Sequence, residues 1–187
     1  AYFIPGDAGT DILTADAQSG VRVRTMTNSL EATDVLPVHA GYTKYRTPLL
    51  DAGVEVYEMR KAPGQASRKE LGFLGSSAAS LHAKTFVLDG DRVFVGSFNF
   101  DPRSAFLNCE MGFLVHSKAL ATHMTQRFDT GLETVAWQVV KSGDGRLEWH
   151  SREDDGASVS LTTEPGSSAT KRMALWVIGL LPVEWML

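Results

Sequence analysis

Segments with strand character alternate with segments that suit helices, and this alternation restricts the fold more than any other feature of the chain. Residues 7–17 suit a helix, and Gly20 separates them from residues 21–26, whose β-branched alternation predicts a strand. A second helix is expected over about 33–50, ended by Gly53, with strand character resuming over 54–57. Strands alternating with helices imply an α/β sheet. Further on, residues 81–88 and 92–95 read as two strands joined by Asp89-Gly90-Asp91, a turn signal that favours a hairpin. A third strand is expected over 111–115 and a helix over about 117–128. Weaker strand signals follow at 134–140 and 146–149. A last helix should start after Glu164-Pro165-Gly166, capped by Ser167 or Ser168. Residues 60–80 have neither period and read as a long loop. No internal repeat is visible.

A length of 187 residues fits one domain with a real core, and 43% hydrophobic with 21% charged residues is an ordinary globular composition. The formal net charge of −4 argues against a broadly basic surface, so nucleic acid is not the expected partner. Charge is uneven: Arg60, Lys61, Arg68 and Lys69 precede the hairpin, while Asp144, Glu148, Glu153, Asp154 and Asp155 make a later stretch acidic. Both runs read as solvated loops or as a weak guide for an anion. Cys109 stands alone, which excludes an internal disulfide and a Cys-based zinc site. The apolar run MALWVIGLLPVEWML is broken by Pro182 and Glu184 and is too short to span a bilayer, and no signal peptide is visible. The opening Tyr2-Phe3-Ile4 reads as the end of a buried strand before a Pro-Gly turn, so the chain is expected to be cut from a longer one.

The hairpin region carries the chemistry. His82 and Lys84, two apart on the expected strand, leave the same face about 7 Å apart and reach one phosphate group. A neutral imidazole attacks phosphorus, and an ammonium balances the charge gathering on the equatorial oxygens. Ser97 and Asn99 repeat that spacing after Gly96, where a missing side chain lets backbone approach a ligand. They add neutral hydrogen bonds to a phosphate cradle. A carboxylate at Glu110 is expected to bind the second ring nitrogen of His82 and fix its tautomer. Asp89 suits turn capping or an internal ion pair better than contact with phosphate.

At this point the segment LHAKTFVLDGDRVFVGSFNFDPRSAFLNCE resembles the phospholipase D superfamily. His82, Lys84 and Asp89 match its H-x-K-x4-D pattern, Gly96, Ser97 and Asn99 its G-S-x-N continuation, and Glu110 matches downstream. The flanks YFIPG, GVRVRTMTNSLEATD, LLDAGVEVYEM, DPRSAFLNCEMG and EPGSS resemble bacterial cardiolipin synthase-like proteins. That resemblance implies their C-terminal catalytic domain, a mixed β-sheet flanked by helices on both faces. It implies action on phosphatidyl groups through a phosphohistidine, without metal or cofactor. It also implies a phosphatidylglycerol-like phospholipid substrate and a bacterial protein peripheral to the membrane.

In that family two such motifs face each other, one histidine attacking and the other protonating the leaving alcohol. One copy is present here, so residues 1–187 are expected to be the C-terminal half of a longer two-motif enzyme, incomplete alone. A single-motif homodimeric phosphodiesterase or nuclease, and an assembly domain without chemistry of its own, are the alternatives. His39, His116, His123 and His150 lack comparable company and read as structural or surface residues. Asn28 and Arg103 suit turn or ion-pair roles as well as head-group contact, and stay outside the expected site. Trp149, Trp176 and Trp185 suit core packing, with contact to a lipid interface the other use of an indole.

Overall fold

The computed structural model describes residues 2–61 and 81–180. Most of the loop expected over 60–80, with Arg68 and Lys69, lies outside the described residues, as do Trp185 and the end of the late apolar run. Two sheets organise the rest. The first has five strands in the order β1-β2-β6-β7-β8. Here β1 (Arg24–Asn28) runs parallel to β2 (Glu55–Met59), while β6 (Ala136–Lys141), β7 (Leu147–Arg152) and β8 (Ser158–Leu161) continue antiparallel. The expected α/β architecture is therefore present as a mixed sheet, and the N-terminal β1–helix–β2 unit is its parallel part.

Helix α1 (Gly6–Gln18) agrees with the sequence pattern. The single helix expected over 33–50 is instead two, α2 (Leu36–Thr43) and α3 (Arg46–Asp51). Pro37 sits in the first turn of α2. Pro48 has no N–H and in a continuous helix would collide with the Lys44 carbonyl, so the chain restarts at Tyr45. Across the sheet, Val56, Val139, Trp149 and Leu161 stand side by side in register. They pack with Tyr42, Tyr45 and Leu49 of the helical layer and with Phe3 and Ile4 to make the core.

A polar network is sealed into that core. Glu58, fully buried, accepts from Arg46 Nε (2.7 Å), Tyr42 Oη (3.0 Å) and Trp149 Nε1 (3.0 Å). Arg46 also pairs with Glu164, which lies 2.8 Å from His39 Nε2. The network ties β2 and β7 to α2, α3 and the Glu164-Pro165-Gly166 turn before α6 (Ala169–Gly179), whose cap is Ser168, accepting from Lys171 N.

The expected hairpin forms a second, separate sheet of three antiparallel strands: β3 (Thr85–Leu88), β4 (Arg92–Gly96) and β5 (Gly112–His116). Helix α5 (Lys118–Val135) packs against β3 and β4, and Val93 is fully buried. Phe86 stacks on Phe94 at 4.5 Å, with Leu114 next in register, and much of this row is open to solvent. Short helix α4 (Pro102–Phe106), unexpected from periodicity, follows Asp101, whose carboxylate accepts from Ser104 N at 2.6 Å.

Among the described residues α5 bridges the sheets, packing on β6 and β7 as well as on β3 and β4, and two hydrogen-bonded ties add to it. Tyr2-Phe3-Ile4 runs beside Phe100, with Ile4 N donating to Phe100 O (2.7 Å) and Phe100 N to Tyr2 O (3.2 Å). The other is Asn28, at the end of β1.

Candidate active site

His82 and Lys84 lie in the extended segment that leads into β3 rather than on the strand itself. The expected convergence nevertheless occurs. Lys84 Nζ lies 3.2 Å from His82 Nε2 and donates to His82 O at 3.2 Å. With Nε2 as acceptor, the ring proton sits on Nδ1 and the Nε2 lone pair shares a small volume with the ammonium. His82 is exposed, and Tyr2 meets it edge-on at 6.4 Å between ring centroids. Burial, helped by Asp34 and Asp101, pushes the Tyr2 phenol upward, which keeps it an O–H donor at neutral pH.

The segment's backbone is held from the other sheet. Asn28 Oδ1 accepts from Leu81 N (2.7 Å) and Asn28 Nδ2 donates to Leu81 O (3.2 Å). This two-point clamp engages the residue before His82. The sequence offered no local signal for it, because the partners are 53 positions apart.

Ser97 and Asn99 follow β4 on the same side of the hairpin as the start of β3, since Gly96 N donates to Lys84 O at 3.1 Å. The Ser97 hydroxyl donates to Glu110 Oε2 and accepts from Met111 N at 3.0 Å. Asn99 Oδ1 is buried without a hydrogen-bond partner among the described residues. A buried orphan of this kind costs about 1–3 kcal/mol unless a ligand supplies what is missing. Half a turn of the amide swaps the oxygen for the NH2 group, which suits a phosphate oxygen.

Glu110 departs from expectation. Its carboxylate accepts from Ser97, from Ser104 Oγ (3.0 Å) and from Asn108 Nδ2 (3.0 Å), and these contacts rather than His82 occupy it. Hydrogen bonds from Ser97 and then Asn108 outweigh desolvation, and with Ser104 and the charge of Lys84 they hold the carboxyl below its ordinary value. Arg103 Nε donates to Asn108 Oδ1 at 3.1 Å, so Arg103, Asn108, Glu110 and Ser97 form one chain of contacts. The clustering of Asp101, Arg103, Ser104, Asn108 and Glu110 within ten residues was the available signal for this support.

Asp89 is elsewhere. It occupies the β3–β4 turn with φ 51° and pairs with Arg92. At about 3.3 Å per extended residue the turn lies roughly 20 Å from His82. Asp89 thus occupies the turn and an ion pair, away from the His82 and Lys84 side chains. Gly96 is also needed for a different approach than expected: a Cβ there would stand 2.5 Å from Met111 O, so the close neighbour is strand β5.

Two other histidines are engaged elsewhere: His39 is buried against Glu164 and His150 pairs with Glu148 at 2.8 Å. Arg60 is spent on Glu153 (2.8 Å) and the face of Trp137. Among the described residues no group of three or more His, Cys, Asp or Glu could hold a metal ion. No helix among them is long and apolar enough to cross a membrane.

Comparisons with known proteins bear on the family and the fold. The family described as "Cardiolipin synthase, PLD-like domain" matches residues 1–131. Cardiolipin synthase C of Escherichia coli (strain K12) is 45% identical over 188 aligned residues, covering 100% of this chain and 40% of that protein. Cardiolipin synthase 2 of Bacillus anthracis is 32% identical, over 71% of this chain and 22% of that protein. Thus the chain spans well under half the length of these relatives. In fold it is similar to the crystal structure of Nuc, a phospholipase D family member from Salmonella typhimurium, with TM-score 0.50 and 18% identity over 69% of this chain and 72% of that one. With its family match extending through the whole His82–Glu110 segment, the chain belongs to the cardiolipin synthase, phospholipase D-like domain family.

Proposed function

We propose that this chain is one half of a phosphatidyl-transferring enzyme, with His82 as its nucleophile. The observation that carries the reading is the 3.2 Å approach of Lys84 Nζ to an accepting His82 Nε2. The lone pair attacks phosphorus, a P–N bond forms, and the P–O bond to the leaving alcohol breaks. Lys84, Ser97 and Asn99 hold the phosphate oxygens, and Glu110 with Asn108 and Arg103 keeps Ser97 in place. A second alcohol then displaces the histidine and restores it. Water in its place makes the same site a phosphodiesterase.

The leaving alkoxide needs a proton from the opposite side, which His82 cannot deliver while it attacks. The reading therefore includes a second motif-bearing half, in a longer chain or a second copy. The open row of Phe86, Phe94 and Leu114 beside the motif supports a partner on that face. The substrate on this reading is a phosphatidylglycerol-like phospholipid, reached from a peripheral position on a bacterial membrane.

His82→Ala in protein carrying both halves tests this, by following labelled phosphatidyl groups from phosphatidylglycerol into product. A fall of at least about 10³-fold is expected. Transfer that survives the substitution would show that His82 is not the nucleophile.

A further inference from the structure

The carboxylate expected to orient His82 is taken up elsewhere, because Glu110 accepts from Ser97, Ser104 and Asn108. Lys84 holds the exposed imidazole at one point, with Nζ 3.2 Å from Nε2. One contact leaves the ring free to turn about it, and attack on phosphorus needs the Nε2 lone pair held in line. A second contact comes from Tyr2, whose ring stands at 89° to the imidazole with 6.4 Å between centroids. That separation lies within the range of an edge-to-face aromatic pair, which sets one ring plane against the other.

Tyr2 is itself held through its backbone and its neighbours. Its carbonyl accepts from Phe100 N at 3.2 Å, Ile4 N donates to Phe100 O at 2.7 Å, and Phe3 and Ile4 are buried in the core. Phe100 follows Asn99, so the contact that places Tyr2 also places one side of the proposed phosphate cradle. The Tyr2 side chain walls a cavity of about 10 Å³ together with Asn28, Val38, His39 and Tyr42. Asn28 in turn clamps Leu81, the residue before His82. The backbone beneath the imidazole and the flank of its ring are therefore set from one spot, where the end of β1 meets the N-terminal segment.

We infer that Tyr2 is a positioning residue for the nucleophile: its ring fixes the plane of the His82 imidazole while Lys84 fixes Nε2. This rests on the reading of His82 as nucleophile and supplies the orienting contact that Glu110 does not. Without the Tyr2 ring the phosphate contacts of Lys84, Ser97 and Asn99 remain, so attack slows while binding is kept. The contact is made by the ring, so phenylalanine keeps it.

The test uses protein carrying both halves and follows phosphatidyl transfer from phosphatidylglycerol. Tyr2→Leu should lower kcat about three- to tenfold and change KM by less than about twofold, since the backbone ties to Phe100 survive the substitution. Tyr2→Phe should stay within about twofold of the unaltered protein. Nitrogen NMR of His82, its signals assigned by their loss in His82→Ala, gives a readout that a merely structural role would not move. At pH about 9 an imidazole is neutral, and the two ring nitrogens should lie far apart in the unaltered protein and in Tyr2→Phe, with the proton on Nδ1. In Tyr2→Leu they should draw together, as the ring swings away from Lys84 and the tautomers mix. Nitrogens that stay apart in Tyr2→Leu would overturn the inference, and so would a KM effect without a loss of kcat. Tyr2→Phe can sink it alone, since merged nitrogens or a loss beyond about twofold there would put the effect in the hydroxyl. The nitrogen readout needs no turnover, so it judges the Tyr2 contact separately from the nucleophile reading, which fails on transfer by His82→Ala.

Discussion

The two sheets differ in what holds them. The five-stranded sheet buries an ionic network under two helices, with Glu58 engaged by Tyr42, Arg46 and Trp149. The three-stranded sheet buries Val93 but leaves β5 exposed along its whole length, and its ends carry His82, Lys84, Ser97 and Asn99. One region supplies stability, and the other presents chemistry on a thin support steered by a few long-range ties. Substitutions in the first should therefore cost folding, and those in the ties should cost activity while barely moving stability.

Glu58→Ala should have the largest effect. It takes one of two carboxylates from the buried Arg46 guanidinium and the acceptor from Tyr42 and Trp149, at a cost of about 3–5 kcal/mol. Thermal unfolding should show a Tm lower by roughly 10 °C. Glu164 gives the same region a pH signature. Burial raises its carboxyl, but hydrogen bonding from His39 and the charge of Arg46 prevail and hold it at about 2, below the ordinary 4.5. A depressed folded value means that the contribution is complete above about 4.5 and is lost as pH falls toward about 2. The shift corresponds to about 3 kcal/mol. In Tm measured against pH, Glu164→Gln should be less stable than the unaltered chain near neutrality, and the gap should close across that window. A gap that stays constant would mean the ion pair contributes nothing.

Where the sequence could be read and where it could not follows the same division. The β3–β4 hairpin was visible because Asp-Gly sits between two β-branched runs, and the His82, Lys84, Ser97, Asn99 set because each pair repeats a two-residue spacing. The helical layer was visible as periodicity, but its break needed the clash at Pro48. Helix α4 carries its own signal in Asp101-Pro102, an N-cap followed by proline, which a search for long periods passes over. The separation of the hairpin into its own sheet, the partners of Glu110 and the clamp from Asn28 depend on contacts between distant segments. Local patterns carry no information about those.

Asn28→Ala sharpens the comparison. It removes both hydrogen bonds to Leu81 and frees the segment that aims His82. Loss of a positioning contact is expected to lower transfer about 10- to 100-fold, mostly in kcat, because it disturbs the attack geometry rather than phosphate binding. Asn28→Asp keeps the acceptor for Leu81 N and should recover part of the rate. Equal losses in both variants, or a KM effect alone, would reduce Asn28 to a structural residue.

Asp89→Asn should have the smallest effect, and it separates motif membership from chemical role. The residue is exposed, its φ of 51° suits asparagine, and its pairing with Arg92 is a surface interaction worth well under about 1 kcal/mol. Transfer in the two-half protein should change less than about twofold and Tm by no more than about 2 °C. A residue that touched the reacting phosphate would instead lose about 100-fold or more, as His82 and Lys84 variants should. Such a loss at Asp89 would mean that the β3–β4 turn, and not only the entry to β3, reaches the substrate or the opposing half. The division between a stabilising sheet and a chemical edge would then have to be redrawn along the full length of the hairpin.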